Sequence, residues 1–247
     1  MMKSFFVDLH IHIGRTKSGQ PVKISAARNL TFYHIVKEAS ERKGLDLIGI
    51  IDCQSPPVLQ EIEELLQQGI VKERVTGGGL QYKKTNILLG AELEVRDEGL
   101  GPAHLLTFLP TLYAMKQFSQ FIAQYMKNVS LSSQRVYITA RKLQQEVIDR
   151  GGFLIPAHVF TPHKGLYGNC CDRMEELLNP HLVAAVELGL SSNSSMAGLI
   201  SELDRFTFVT TSDAHSLAKI GREYNAMRLQ EPSFAEVKKA LLREDGR

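Results

Sequence analysis

The sequence predicts an α/β fold built as one barrel-like domain of seven strands over residues 1–247. Three observations predict it. Short apolar runs recur along the chain, segments with helical spacing separate most of them, and no linker, repeat or low-complexity tract divides the whole. Strands that alternate with helices imply parallel strands joined by crossover helices. A chain of 247 residues, 43% hydrophobic and 23% charged, is long and apolar enough to bury the core such a barrel needs.

The first strand is the run from Phe5 into Asp8-Leu9-His10-Ile11-His12. Side chains alternate along a strand, so Asp8, His10 and His12 share one face while Leu9, Ile11 and Ile13 share the other. Two imidazoles about 7 Å apart on one strand face can grip a single metal ion. A lone His-x-His more often belongs to a half-buried strand with hydrogen-bonded rings, and the metal reading gains its weight from similar residues further along.

Residues 14–29 read as a polar loop made basic by Arg15, Lys17, Lys23 and Arg28. The spacing predicts a helix over 30–42, stopped at Lys43-Gly44, and residues 45–52 form an apolar strand buried on both faces. Ser55-Pro56-Pro57 opens a helix over 58–68, closed by Gly69. Gly77-Gly78-Gly79 is a turn rather than a phosphate cradle, because no helix start with Lys-Ser/Thr follows it. Lys83-Lys84 reads as a hairpin tip. Residues 86–95 give a third strand with Glu92 and Glu94 on one face, and residues 103–109 a fourth that begins with His104. Helices are predicted over 113–127 and 139–150, then strands over 153–158, 182–188 and 206–211. The last runs into Ser212-Asp213-Ala214-His215.

Polar residues collect at the carboxyl ends of these strands: His10, His12, Asp52, Glu92, His158, Asp213 and His215. In α/β barrels that rim is where sites are built. His104 joins them if its strand runs antiparallel or enters from the same rim. Imidazoles and carboxylates without thiolates suit zinc, manganese or iron. A bridging carboxylate among them implies two or more ions, an arrangement that clamps a phosphate and supplies hydroxide at neutral pH. Hydrolysis of a phosphate ester follows as the predicted chemistry.

A formal charge of +2 gives no global field for nucleic acid, so any such partner is held by a local patch. With no signal peptide and no 18-residue apolar run, the expectation is a cytoplasmic protein with no membrane partner. Three cysteines, two of them adjacent at Cys170 and Cys171, argue against a disulfide framework or a thiolate zinc site. Oligomeric state leaves no signature in the sequence.

Taken in order, Asp8-Leu9-His10-Ile11-His12, Gly90-Ala91-Glu92, His104-Leu105-Leu106, Pro156-Ala157-His158 and Ser212-Asp213-Ala214-His215 resemble the motifs of the PHP (polymerase and histidinol phosphatase) family. The resemblance implies a distorted, seven-stranded β/α barrel with two or three divalent ions. It implies that His10, His12, Glu92 and Asp213 hold one ion, that Glu92 bridges to a second held by His104 and His158, and that His215 serves a third. The chain departs from the family pattern at Asp52-Cys53 and among Gly14 to Gly19, positions that would feed the third ion, where Asp52 or the Cys53 thiolate would have to substitute. Further motifs, among them His158-Val159-Phe160-Thr161-Pro162 and Gly221-Arg222-Glu223-Tyr224-Asn225, resemble the endonuclease Q branch, whose members nick DNA 5′ to deaminated bases. That implies DNA containing uracil or hypoxanthine as partner, with a small phosphate ester and a catalytically silent module as alternatives. Members of that branch continue into further DNA-gripping elements, so the hydrophilic ending Glu244-Asp245-Gly246-Arg247 fits either a piece of a longer protein or a short relative.

On this reading Glu92, Asp213 and Arg222 carry catalysis, the last as a phosphate clamp. Arg15, His163 and Arg173, with Lys164 and Lys219, lie in rim loops able to line a DNA path, and Phe160 and Tyr167 are placed to stack on an everted base. Asp8 is expected to orient a histidine rather than bind metal. Glu94 is expected as an exposed residue or a partner of Glu92.

Overall fold

The computed structural model describes residues 2–246. It is a mixed α/β structure around a central sheet, with ten strands among the described residues. These are β1 (Lys3–Ile11), β2 (Leu47–Ile50), β3 (Lys72–Glu73), β4 (Leu80–Tyr82), β5 (Thr85–Val95), β6 (Ala103–Leu109), β7 (Phe153–Pro156), β8 (Val186–Glu187), β9 (Phe208–Val209) and β10 (Asn225–Leu229). The α-helices are α1 (Phe32–Glu38), α2 (Pro56–Gln67), α3 (Leu112–Ala123), α4 (Ala140–Asp149), the single turns α5 (Met174–Leu177) and α6 (Ser194–Ala197), and α7 (Phe234–Leu241). Thr31, Thr111, Thr139 and Ser233 start α1, α3, α4 and α7 by accepting a backbone N–H from the first turn.

The sheet runs β10, β1, β2, β5, β6, β7, with the β3–β4 hairpin attached to the first residues of β5. β1, β2 and β5 are parallel. Gly49 of β2 lies so close to β1 that a Cβ there would meet the Leu9 carbonyl oxygen at 2.5 Å, so the pairing admits no side chain at that position. β8 and β9 pair parallel to each other. Ala184 N donates to Leu154 O (3.0 Å), tying the approach to β8 onto β7. Beyond β9, Ala214 bridges back to β1 through His12 N to Ala214 O and Ala214 N to His10 O, both 3.1 Å.

The sequence predicts parallel strands through most of the chain and leaves the direction of the His104 strand open, and the structure decides it. β6 is antiparallel to both β5 and β7. The connection 96–102 is too short to house a crossover helix, so the chain folds straight back. From β6 to β7 it passes through two helices in series, α3 and α4, which return it to the end it left. The consequence is local and important: the start of β6 lies at the same end of the sheet as the ends of β1, β2, β5 and β7, and His104 joins that rim.

Other elements are shorter than predicted. The predicted strands 182–188 and 206–211 reduce to the two-residue β8 and β9, with Pro180 fixing a 3₁₀ turn just before the first. The helix expected over 30–42 ends at Glu38 and widens into a π turn, Ala39–Lys43, closed by Gly44 at φ +70°. β10, antiparallel to β1, and α7 behind it were not predicted. The hairpin tip at Lys83-Lys84 lies between β4 and β5 as expected. Two apolar clusters hold the layers together, one containing Ile11, Ile48 and Leu89, the other Leu9, Leu106, Phe108 and Phe153. No described helix is long and apolar enough to cross a membrane.

Candidate metal centre

The rim gathers two triplets of potential ligands. His10, His12 and Asp213 form one; Glu92, His104 and His158 form the other; within each, one ligand atom per residue lies within 4.8 Å of the others. His10 and His12 come off β1 with their Nε2 atoms 3.1 Å apart. Asp213 Oδ1 is 3.6 Å from His10 Nε2 and 3.4 Å from His12 Nε2. In the second triplet Glu92 Oε1 lies 2.9 Å from His104 Nδ1 and 3.3 Å from His158 Nε2. The same carboxylate reaches the first triplet, with Oε1 3.7 Å from His10 Nε2 and Oε2 3.7 Å from His12 Nε2. Glu92 therefore stands between the two.

Each ring of the His10–His12 pair is backed by a buried carboxylate. His10 Nδ1 is 2.9 Å from Glu187 Oε1, and His12 Nδ1 is 2.9 Å from Asp52 Oδ2. An Nδ1–H bonded to a carboxylate fixes the tautomer that leaves Nε2 as a lone pair, which is how metal-binding histidines are held. Two such lone pairs 3.1 Å apart repel unless a cation or a proton lies between them. In the second triplet His104 Nε2 and His158 Nδ1 are buried without a hydrogen-bond partner. Buried nitrogens are seldom left so. Facing pairs, orphaned nitrogens and an all-imidazole-and-carboxylate donor set fit a divalent ion in each triplet.

The electrostatics point the same way. Burial works against the charged form of His10, yet Glu187 and Asp213 beside it raise its pKa to about 10. Burial also disfavours the Glu92 carboxylate, but His104 and His158 hold it well below the usual carboxylate range. Asp213 is likewise held low against burial by His10 and His12. His104 is lowered, first of all by burial. Glu92 and Asp213 thus stay anionic at the rim.

Several residues expected here lie elsewhere or do something else. Asp52, expected as a ligand, belongs to neither triplet: its Oδ2 orients His12 and accepts Ile13 N at 3.1 Å. Asp8, expected to orient a histidine, accepts His10 N (3.4 Å) as well as Ser212 N (3.1 Å) and Gly221 N (3.0 Å), tying β1 to the loop that presents Asp213. The Cys53 thiol is fully buried, donates to Ile50 O at 3.1 Å and has its pKa pushed up by burial, so it is no thiolate donor. His215 is at the rim, its Nδ1 donating to Asp213 O (2.9 Å) and its ring centroid 4.7 Å from that of His12. Arg222 is exposed and its Nε donates to Ser212 O (2.8 Å), bracing the loop that carries Asp213. Glu94 pairs with Lys164 at 2.8 Å.

A cavity of about 540 Å³ opens over the ligands and is lined in part by Lys23, His163, Lys164 and Leu190. His163 is the one residue of the proposed substrate set in that lining. Phe160 and Tyr167 stack on each other at 5.7 Å, the Tyr167 hydroxyl donates to Glu202 (2.9 Å), and neither is among the residues lining the cavity. Arg173 pairs with Glu175 on the surface, and Arg15, in a bridge with Pro21, is not among the residues lining the cavity. Glu187, which holds both His10 and the His158 backbone N–H, went unassigned in the sequence, although a lone carboxylate inside Val-Ala-Ala-Val-Glu-Leu was a signal. Lys23, reaching Glu92, had no such signal.

No family model matches the chain. It is 51% identical over 248 residues to the uncharacterized protein YqxK of Bacillus subtilis, covering all of this chain and 64% of that protein. Among solved structures it superposes on the lesion-specific endonuclease PfuEndoQ of Pyrococcus furiosus with a TM-score of 0.83 at 27% identity, over 99% of this chain and 57% of that one. Endonuclease Q in complex with a 27-mer duplex carrying an abasic lesion matches at 0.81 and 27%, over 97% and 56%. The chain shares the fold of endonuclease Q. A PHP-like metal-dependent phosphoesterase from Bacteroides vulgatus shares the fold alone, at 12% identity and a TM-score of 0.55 over 98% of this chain and 63% of that one. In fold, then, this chain lies near endonuclease Q, and it spans 64% of the length of YqxK and 57% of that of PfuEndoQ.

Proposed function

We propose that this chain is a PHP-family metal-dependent phosphodiesterase that cuts DNA 5′ to deaminated bases such as uracil and hypoxanthine, in the cytoplasm, as one domain spanning residues 1–247. The observation that carries the reading is the Glu92 carboxylate, whose oxygens reach both ligand triplets at the floor of an open cavity. The likeness to a lesion-specific endonuclease and to endonuclease Q bound to a lesion-bearing duplex supports DNA as the substrate class. We read the scaffold as a distorted ring of seven strands, β1, β2 and β5 to β9, whose hydrogen bonds return to β1 through Ala214.

Divalent ions, whether zinc, manganese or iron, would supply a hydroxide at neutral pH and offset the charge of the phosphate. His10, His12 and Asp213 would hold one, His104 and His158 a second, and Glu92 both. Glu187 and Asp52 fix the rings that bind, and Asp8 and Arg222 hold the loop that carries Asp213. No side-chain nucleophile is needed.

The test is to load the protein with manganese or zinc and offer uracil- or hypoxanthine-containing duplex DNA beside a panel of phosphomonoesters. Nicking 5′ to the deaminated base is expected. Cleavage of the monoesters alone would replace the nuclease reading with a small-metabolite phosphatase. No hydrolysis, together with less than one ion per chain, would leave a silent module.

A further inference from the structure

We infer that Lys23 is a built-in cation of this centre, contacting the substrate phosphate and taking the place that a third metal ion would fill. The inference rests on the hydrolase reading. Its Nζ sits 3.4 Å from Glu92 Oε2 and 2.6 Å from Ser133 Oγ, and the Ser133 hydroxyl donates to that same Glu92 oxygen. The Lys23 side chain is 16% exposed and lines the cavity. Its backbone is fixed as well, because Lys23 N donates to Ile13 O (3.0 Å) and Ser132 N donates to Val22 O (3.0 Å), stitching the 14–30 loop to β1's end and to the 132–133 turn. An ammonium held this firmly beside a bridging carboxylate is not a stray surface charge.

Its position is specific. Lys23 lines the same cavity as His12 and His215, and the Ser133 hydroxyl it meets is bonded to the Ser132 hydroxyl (3.0 Å), which itself reaches His12 Nδ1 (3.3 Å). The donor atoms left on that side are few, Asp52 Oδ1, buried without a partner, and the ring nitrogen of His215 that does not meet Asp213 O. Asp52 Oδ2 is committed to His12 and Ile13 N, the Cys53 thiol is turned to Ile50 O, and the first triplet already uses His12 and Asp213. Placing a dication beside Nζ would also cost Coulomb repulsion in a half-dry cavity. A compact ammonium with rotatable N–H donors is suited to meet a non-bridging phosphate oxygen entering the cavity over Glu92.

The experiment compares the manganese-loaded wild type with K23M and K23R. Ions per chain are counted after gel filtration, inorganic phosphate binding is measured by calorimetry, and KM and kcat are measured on a generic phosphodiester, bis(p-nitrophenyl) phosphate. We expect about two ions in all three proteins, phosphate affinity lowered about 10-fold or more in K23M, and K23R close to wild type. Three ions in the wild type, or phosphate affinity and KM unchanged in K23M, would overturn the role of Lys23 while leaving the hydrolase intact. A wild type that holds no ions and binds no phosphate would instead remove the hydrolase reading, and this inference with it.

Discussion

Glu187→Gln isolates the part of the centre that binds nothing itself. Glu187 accepts three hydrogen bonds: His10 Nδ1 and the Thr211 hydroxyl on Oε1, and His158 N (2.7 Å) on Oε2. Glutamine keeps the volume but exchanges one acceptor oxygen for a donor and removes the charge behind His10. If the remaining oxygen stays with His158 N, the amide nitrogen faces His10 Nδ1 and pushes the ring's proton onto Nε2, the atom that should ligate. Losing a hydrogen bond to a charged group costs about 1.5–3 kcal/mol, which is about 10- to 100-fold in affinity. Loss of a partner behind a ligating histidine typically lowers metal affinity over that same range. Titration of manganese against a chromophoric chelator, with wild type and variant side by side, reads the effect directly, and circular dichroism confirms that the fold survives. A folded variant whose ion affinity stays within about 3-fold of wild type would refute the reasoning, since Glu187 would then be packing only.

Asp213→Asn should bring hydrolysis below about a tenth of wild type by removing a ligand charge, with the melting temperature preserved, because asparagine tolerates the φ of +43° found there. Cys53→Ala should leave the ion count unchanged and lower stability by about 1–2 kcal/mol in denaturant melts; a lost ion would restore the thiol as a ligand. Tyr167→Phe should cost about 1 kcal/mol through the lost bond to Glu202 and leave turnover on lesion-bearing duplex unchanged, whereas a turnover defect would revive its role against a base. Arg222→Ala should reduce turnover by about 10-fold or less by loosening the loop it braces at Ser212, with ion affinity following turnover; a fall in turnover alone would make it a phosphate clamp.

How much of this was legible before the fold was known depended on distance along the chain. His10 and His12 declared themselves by strand alternation, because period two is a local rule. The long strands β5 and β6 were read almost to the residue, since continuous apolar runs with turn residues at both ends leave little freedom. β8 and β9 were overextended because Ala184 and Thr211 are buried for tertiary reasons, not as ladder residues. The roles of Asp52 and Glu187 were out of reach: each is defined by which nitrogen of a histidine 40 or 177 residues away it meets, and no spacing encodes that. Lys23 was one basic loop residue among four until the fold laid it against Glu92.

The backbone ties these observations together. Eight non-glycine residues among those described have positive φ, and five of them, Asp52, Ser133, His158, Lys164 and Asp213, line or back the cavity. Such conformations cost about 1–3 kcal/mol each and persist only where surrounding contacts enforce them. Here the contacts are visible. Glu187 takes the His158 N–H, and Asp8 takes the N–H of Ser212 just before Asp213. Gly189, whose Cβ would lie 2.8 Å from that of His158, leaves the room the turn needs. A strand that ended in ordinary extended geometry would carry its terminal side chain on past the rim. Turning the chain sharply at the last residue swings Asp213 and His158 inward to where β1 presents His10 and His12. The buried carboxylates therefore serve twice, once by fixing imidazole tautomers and once by holding strained turns, so replacing one of them should disturb ligand geometry more than fold.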